Sequence, residues 1–102
     1  MTPEGRVKDK VKHILKAMGV WYFMPAANGI GTTGIPDFIC CFKGRFIAIE
    51  CKAGKNQPTA LQQLQLKQID DHGGLTMIIN EDNILILEKV ITRVFLEDSF
   101  RQ

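Results

Sequence analysis

Long apolar runs are missing from this 102-residue chain. No stretch approaches the roughly 18–20 residues that a membrane-spanning helix needs, so no membrane partner is expected. The charged opening Met-Thr-Pro-Glu-Gly-Arg lacks a signal-peptide core, and a cytoplasmic location is the default expectation. Cysteine is scarce. Cys40, Cys41 and Cys51 are odd in number, form no Cys-x-x-Cys pair and fall inside predicted strands. That favours buried, reduced residues over bridges or zinc ligands. His13 and His72 lack partners at a useful spacing and read as helix-surface residues. Gly29, Gly31 and Gly34 come without a Walker lysine, which argues against a nucleotide-triphosphate loop. Nor does one sign of charge dominate: a formal net charge of +2 implies no partner by itself.

What is present is an ordinary globular composition, 45% apolar and 24% charged, sized for one core. Residues 1–102 read as a single domain. Residues 3–18 are predicted helical: Thr2 can cap the segment, Pro3 suits its first position, and Gly19 ends it. Val7, Val11, Ile14, Leu15 and Met18 give it one apolar face. Residues 21–24 read as a strand stopped by Pro25, and 25–35 as an irregular loop. Residues 36–42 and 45–52 read as a β-hairpin around Lys43-Gly44. A second helix is expected over 59–72, opened by Thr59 and closed by Gly73-Gly74, with Leu61, Leu64, Leu66 and Ile69 facing a sheet. A strand at 75–80 follows. Asp82 is the expected cap of a last helix over 84–96, with a strand at 84–88 as the competing reading. The order α-β-β-β-α-β-α describes an α/β domain with a mixed sheet flanked by helices.

The hairpin carries the chemistry. If Lys43-Gly44 closes a two-residue turn, Phe42 pairs with Arg45, and the register walks back until Asp37 faces Glu50. Glu50 and Lys52 share that face, because side chains alternate along a strand. Directly opposed residues have Cβ atoms roughly 4.5–5.5 Å apart. Two carboxylates so placed repel one another unless a cation lies between them. Two oxygen ligands and a lysine make a candidate site for Mg²⁺ and phosphate. Basic residues crowd nearby. Arg6, Lys8, Lys10, Lys12 and Lys16 lie on the first helix, and Lys43, Arg45, Lys52 and Lys55 surround the hairpin. Such clusters suit a polyphosphate such as DNA, although helix lysines also form an ordinary solvated face.

The string Gly34-Ile35-Pro36-Asp37, a gap of twelve residues (38–49), then Glu50-Cys51-Lys52 resembles the PD-(D/E)xK nuclease signature. Together with Asn28-Gly29-Ile30-Gly31, Pro58-Thr59-Ala60-Leu61-Gln62 and Gly73-Gly74, it is similar to the VRR-NUC branch, particularly its short stand-alone phage and prophage members. The resemblance runs from about Glu4 to Gly74. It implies a restriction-endonuclease-like core and metal-dependent hydrolysis of DNA phosphodiesters. Carried onto this chain, it makes Asp37 and Glu50 the side-chain ligands of Mg²⁺ or Mn²⁺, with the backbone carbonyl of Cys51 completing the set. It makes Lys52 the residue that orients the attacking water or neutralises phosphate charge. Glu4 would support the metal through a water, and Gln62, chosen over Gln65, would touch phosphate or water. Lys8, Lys12, Gly31, Thr32, Thr33 and Lys55 are the expected DNA contacts. The substrate implied is branched DNA, such as a four-way junction cut by a homodimer. Nicking or restriction-like cleavage, or DNA binding without catalysis, are the alternatives. The apolar residues Ile84, Leu87, Ile91, Val94, Phe95 and Phe100 are the candidate dimer surface, with burial in their own subunit as the other reading.

Overall fold

The computed structural model describes residues 1–26 and 33–100, with side chains described through Glu97. Helix α1 (Pro3–Met18) begins where Thr2 Oγ1 accepts the Gly5 N–H at 3.0 Å, and ends at Gly19 in a left-handed conformation. Val7, Val11 and Leu15 are buried along it, with Ile14 and Met18 packed at the margin. The strands are β1 (Trp21–Phe23), β2 (Phe38–Phe42), β3 (Arg45–Cys51) and β4 (Leu75–Ile79), in spatial order β1-β2-β3-β4. The first three pair antiparallel, whereas β3 and β4 are parallel and joined through α2 (Ala60–Asp71). The hairpin turn is of the mirror-image kind that matches strand twist, with Lys43 at φ 51° and Gly44 at φ 83°. It sets Phe42 against Arg45 and Phe38 against Ile49, the register expected from sequence.

One sheet face presents Phe38, Cys40, Ile47, Ile49, Cys51 and Ile79 to α1 and α3 (Leu87–Phe100), forming the core with Ile84, Leu87 and Ile91. On the other face α2 covers only part of the sheet, with Ile69 beside Gly74 and Phe46. Several expectations are corrected by this arrangement. Strand β2 starts at Phe38, so Pro36 and Asp37 approach it from outside, and β3 ends at Cys51. Leu66 is the buried leucine of α2, while Leu61 and Leu64 are about half exposed, because the helix overlies one flank of the sheet. Cys40 and Cys51 are buried as expected, but Cys41 lies exposed on the uncovered part of that face.

The 84–96 segment opens as a 3₁₀ turn (Ile84–Ile86) before α3, and the strand alternative is not adopted. Asp82 is not its cap. Asn80 Oδ1 instead accepts the N–H groups of Asp82 and Asn83, while Asn83 Oδ1 accepts the N–H of Asn80. Ile84, Leu87 and Ile91 bury within their own subunit, and Phe95 meets the Phe42 ring edge-on at 5.8 Å. Those four residues therefore cover their own sheet, while the Phe100 side chain lies outside the described ones. No helix among the described residues is long and apolar enough to cross a membrane.

Candidate active site

The site lies at the end of the sheet where β2 begins and the parallel strands β3 and β4 finish. Pro36, fully buried, anchors the approach to β2 and leaves Asp37 at its mouth. Asp37 Oδ2 accepts the backbone N–H of Cys51 at 2.8 Å, which ties the carboxylate to the last residue of β3. Glu50 is one residue earlier and points to the opposite sheet face from Cys51. Its carboxyl is only 2% exposed. Glu50 Oε2 is 3.5 Å from Lys52 Nζ, and Oε1 is buried without a hydrogen-bond partner. Leaving such an atom unmatched costs about 1–3 kcal/mol, so a folding reason for it is lacking.

Burial first, and the charge of Asp37 second, push the Glu50 carboxyl from 4.5 up to about 7, against the opposing pull of Lys52. This is the repulsion predicted for facing carboxylates, moderated by one lysine. The second lysine is Lys8. Its Nζ stands 3.3 Å from Asp37 Oδ1 and 3.6 Å from Glu4 Oε2, one helical turn back. Burial draws the Lys8 ammonium downward, but the charges of Asp37 and Glu4 outweigh it and raise it overall. Lys8, an expected DNA contact, stands within the site, paired with Asp37 and Glu4. The Glu4–Lys8 spacing of four residues signals a helix-surface pair, but only the packing of α1 across the sheet, against β1 and β3, turns it toward Asp37.

The remaining expected residues fall into groups. Gln62 completes a capping box: its Oε1 accepts the Thr59 N–H at 2.9 Å, and Thr59 Oγ1 accepts the Gln62 N–H at 3.2 Å. Its side chain thus secures the start of α2. The α2 start is also where Gly34 approaches, at φ 84°, so closely that a Cβ there would lie 2.7 Å from the Leu61 backbone. Lys12 is half-buried one turn beyond Lys8, and Thr33 is exposed. Lys55 is exposed and lines an open groove of about 490 Å³ with Thr2, Glu4, Gly54, Asn56 and Glu81. Sequence reasoning missed Glu81, whose Oε1 accepts the Gly54 N–H at 2.7 Å and fixes the turn after β3. Gly31 and Thr32 lie outside the described residues. His13 and His72 each bond through Nδ1 to a carbonyl of their own helix, consistent with surface roles. Burial pushes the Cys40 thiol up to about 12 and raises Cys51 as well, so neither is a thiolate near neutral pH.

Among the described residues no group of three His, Cys, Asp or Glu side chains stands ready to hold a metal ion. The donors available are the two carboxylates Asp37 and Glu50 and a backbone carbonyl, all hard oxygens of the type that Mg²⁺ and Mn²⁺ take. The unmatched Glu50 Oε1 beside Asp37 fits such an ion. Glu4, Asp37 and Glu50 against Lys8 and Lys52 leave the cluster one negative charge in excess when all five are ionised.

No protein-family model matches the chain, and no curated protein matches its sequence. Several solved structures are similar to it, two of them as follows. One, described as a VRR_NUC domain, has a TM-score of 0.69 and 20% identity over 93% of this chain and 96% of its own. The other, a VRR_NUC domain protein, has a TM-score of 0.66 and 20% identity over 89% of this chain and 86% of its own. The family resemblance read from the motif is thus matched by a shared α/β fold across nearly the whole length.

Proposed function

We infer that this protein is a metal-dependent, structure-selective DNA endonuclease that hydrolyses phosphodiester bonds. The observation that carries the reading is Glu50: a buried carboxylate with one oxygen unmatched, set against Asp37, with Lys52 on the same strand. Asp37, Glu50 and the Cys51 carbonyl would hold Mg²⁺ or Mn²⁺, with Glu4 supporting through water. When bound, the ion would polarise the scissile phosphate and lower the pKa of a water. Lys52, held by its pairing with Glu50, would orient that water and neutralise charge growing on the phosphate oxygens. Lys8 holds Asp37 in place through its Oδ1.

The fold of the similar VRR_NUC structures supports this reading, as does the basic surface around the hairpin. A single domain of this size offers one hairpin site, so paired cuts in a branched substrate would need a homodimer with two sites related by a two-fold axis. End-labelled linear, flapped and four-way DNA, incubated with Mg²⁺ or Mn²⁺, tests the proposal. Metal-dependent cleavage is expected, strongest on branched substrates and absent in EDTA. No cleavage of any of the three would overturn the nuclease reading. Equal cleavage of linear and branched DNA by a monomer would remove the junction-resolving part alone.

A further inference from the structure

The sheet face that carries Glu50 and Lys52 also carries exposed aromatic rings. Trp21 pairs with Cys41, which pairs with Phe46; Phe23 pairs with Ile39, which pairs with Ala48. Paired residues share a face and alternate residues return to it, so Trp21, Phe23, Phe46 and Glu50 all lie on one side. Tyr22, between the two rings, points the other way and packs on Phe38 in the core. Trp21 is 61% exposed and Phe23 47% exposed. They meet edge-to-face, 5.8 Å between centroids. Phe23 sits one strand across and two residues along from Asp37. With a rise of roughly 3.3 Å per residue and a strand spacing of roughly 4.8 Å, their Cα atoms are about 8 Å apart.

Edge strands with bare aromatics are a liability that folded chains usually blunt. Two readings explain why this one is kept: a second copy of the chain, or a ligand with flat apolar faces. Three half-exposed rings, with Phe46 beside Trp21 and Phe23, offer on the order of 300 Å², far below the roughly 800 Å² per partner of a stable interface. Position decides in the same direction. The rings share the sheet face of Glu50 and Lys52, with Phe23 about 8 Å from Asp37, whereas Lys43 lies over Phe42 and Arg45 pairs with it on the other face. Rings on a sheet beside a lysine placed to meet phosphate are how unpaired nucleotides are held: bases stack and the backbone passes the cation.

We propose that Trp21 and Phe23 form a stacking platform for unpaired bases, so that the substrate enters the site as single-stranded or splayed DNA. The inference deepens the nuclease reading and rests on it for the substrate, but its test is independent of cleavage. Trp21 is the chain's one tryptophan, so its emission reports the platform directly. In EDTA, a thymidine oligonucleotide is expected to quench Trp21 emission. An abasic oligonucleotide of the same length, and a duplex, should quench it little. Trp21→Ala and Phe23→Ala should each weaken single-strand binding roughly 5- to 150-fold, with duplex binding unchanged and the fold intact, both side chains being largely at the surface. Trp21→Phe should restore most of the affinity. Equal quenching by base-bearing and abasic strands, no binding of either, or undiminished binding by Trp21→Ala would overturn the platform. So would Trp21 emission that depends on protein concentration without DNA, together with a sedimentation change in Trp21→Ala, which would assign the rings to a second copy. Quenching without cleavage of any DNA would sink the nuclease reading and leave the platform; cleavage without quenching would do the reverse.

Discussion

Glu50→Gln should make the metal-free protein more stable while abolishing its activity. The carboxyl moves from 4.5 to about 7 on folding. At roughly 1.4 kcal/mol for each tenfold change, holding it ionised in the folded chain costs about 3 kcal/mol. Below about pH 4.5 both folded and unfolded chains keep the proton, and no penalty exists. Between there and about pH 7 the unfolded chain releases the proton while the folded chain retains it, so stability falls as pH rises. Above pH 7 the full penalty applies. Glutamine removes the charge but also leaves Lys52 without its ionised partner, which takes back part of the gain. The net expectation at pH 8 is a stabilisation of about 2 kcal/mol, or about 10 °C in Tm for a domain of this size. Thermal melts of both proteins in EDTA at pH 5 and pH 8 measure it. Adding Mn²⁺ should raise the wild-type Tm at pH 8 by binding the native carboxylates, and should do little for the variant. A variant no more stable than wild type at pH 8, or one stabilised equally at both pH values, would show that burial is not what strains this carboxyl.

Asp37→Ala should abolish cleavage in a labelled-DNA assay and cost about 1–3 kcal/mol of stability, because the Cys51 N–H loses its acceptor; more than a few per cent residual activity would remove Asp37 from the metal set. Lys52→Ala should lose turnover yet keep the Mn²⁺-induced Tm rise, since the lysine acts on phosphate and water; normal cleavage by this variant would make its strand position incidental. Lys12→Gln should weaken DNA binding and lower the slope of log affinity against log salt by about one, whereas Lys8→Gln should chiefly destabilise the fold and derange Asp37. Titrations at several salt concentrations separate the two lysines, and an unchanged slope for Lys12→Gln would return it to the solvated helix face.

The hairpin and its register were legible because local chemistry determines them. Lys43-Gly44 forces a two-residue turn, and counting back from it places Asp37 beyond Phe38, in line with Glu50 across from it. The ends of α1 were equally legible, since Thr2, Pro3 and Gly19 each act on backbone groups within a few residues. What failed were judgements about which side of an element meets a neighbour. Leu61 and Leu64 have the spacing of a buried face, yet α2 overlies one flank of the sheet, so only its later residues reach in. Cys41 alternates correctly but falls where no helix covers the strand. Asp82 has the chemistry of a cap, but the two asparagines around it close the turn first. Lys8 looked like any lysine on a basic helix; its place beside Asp37 depends on how α1 packs, which no local pattern encodes.

The site and the core are read from the same alternation, and this explains how a strained pair of carboxylates is held in place. Phe38 follows Asp37, while Ile49 and Cys51 bracket Glu50, and all three are fully buried. A one-residue slip of the hairpin would swing Ile49 and Cys51 out of the core and drive Glu50 and Lys52 toward it. Burying those side chains contributes several kcal/mol, more than the repulsion between the carboxylates can return by slipping. The core therefore imposes a register that electrostatics alone would reject. Lys8 and Lys52 reduce the repulsion from two sides without abolishing it, since Glu50 still titrates near 7. The residual strain is the physical basis for expecting a divalent cation above pH 7: once Glu50 has lost its proton, such an ion matches the unpaired oxygen, offsets the excess negative charge and leaves the register untouched.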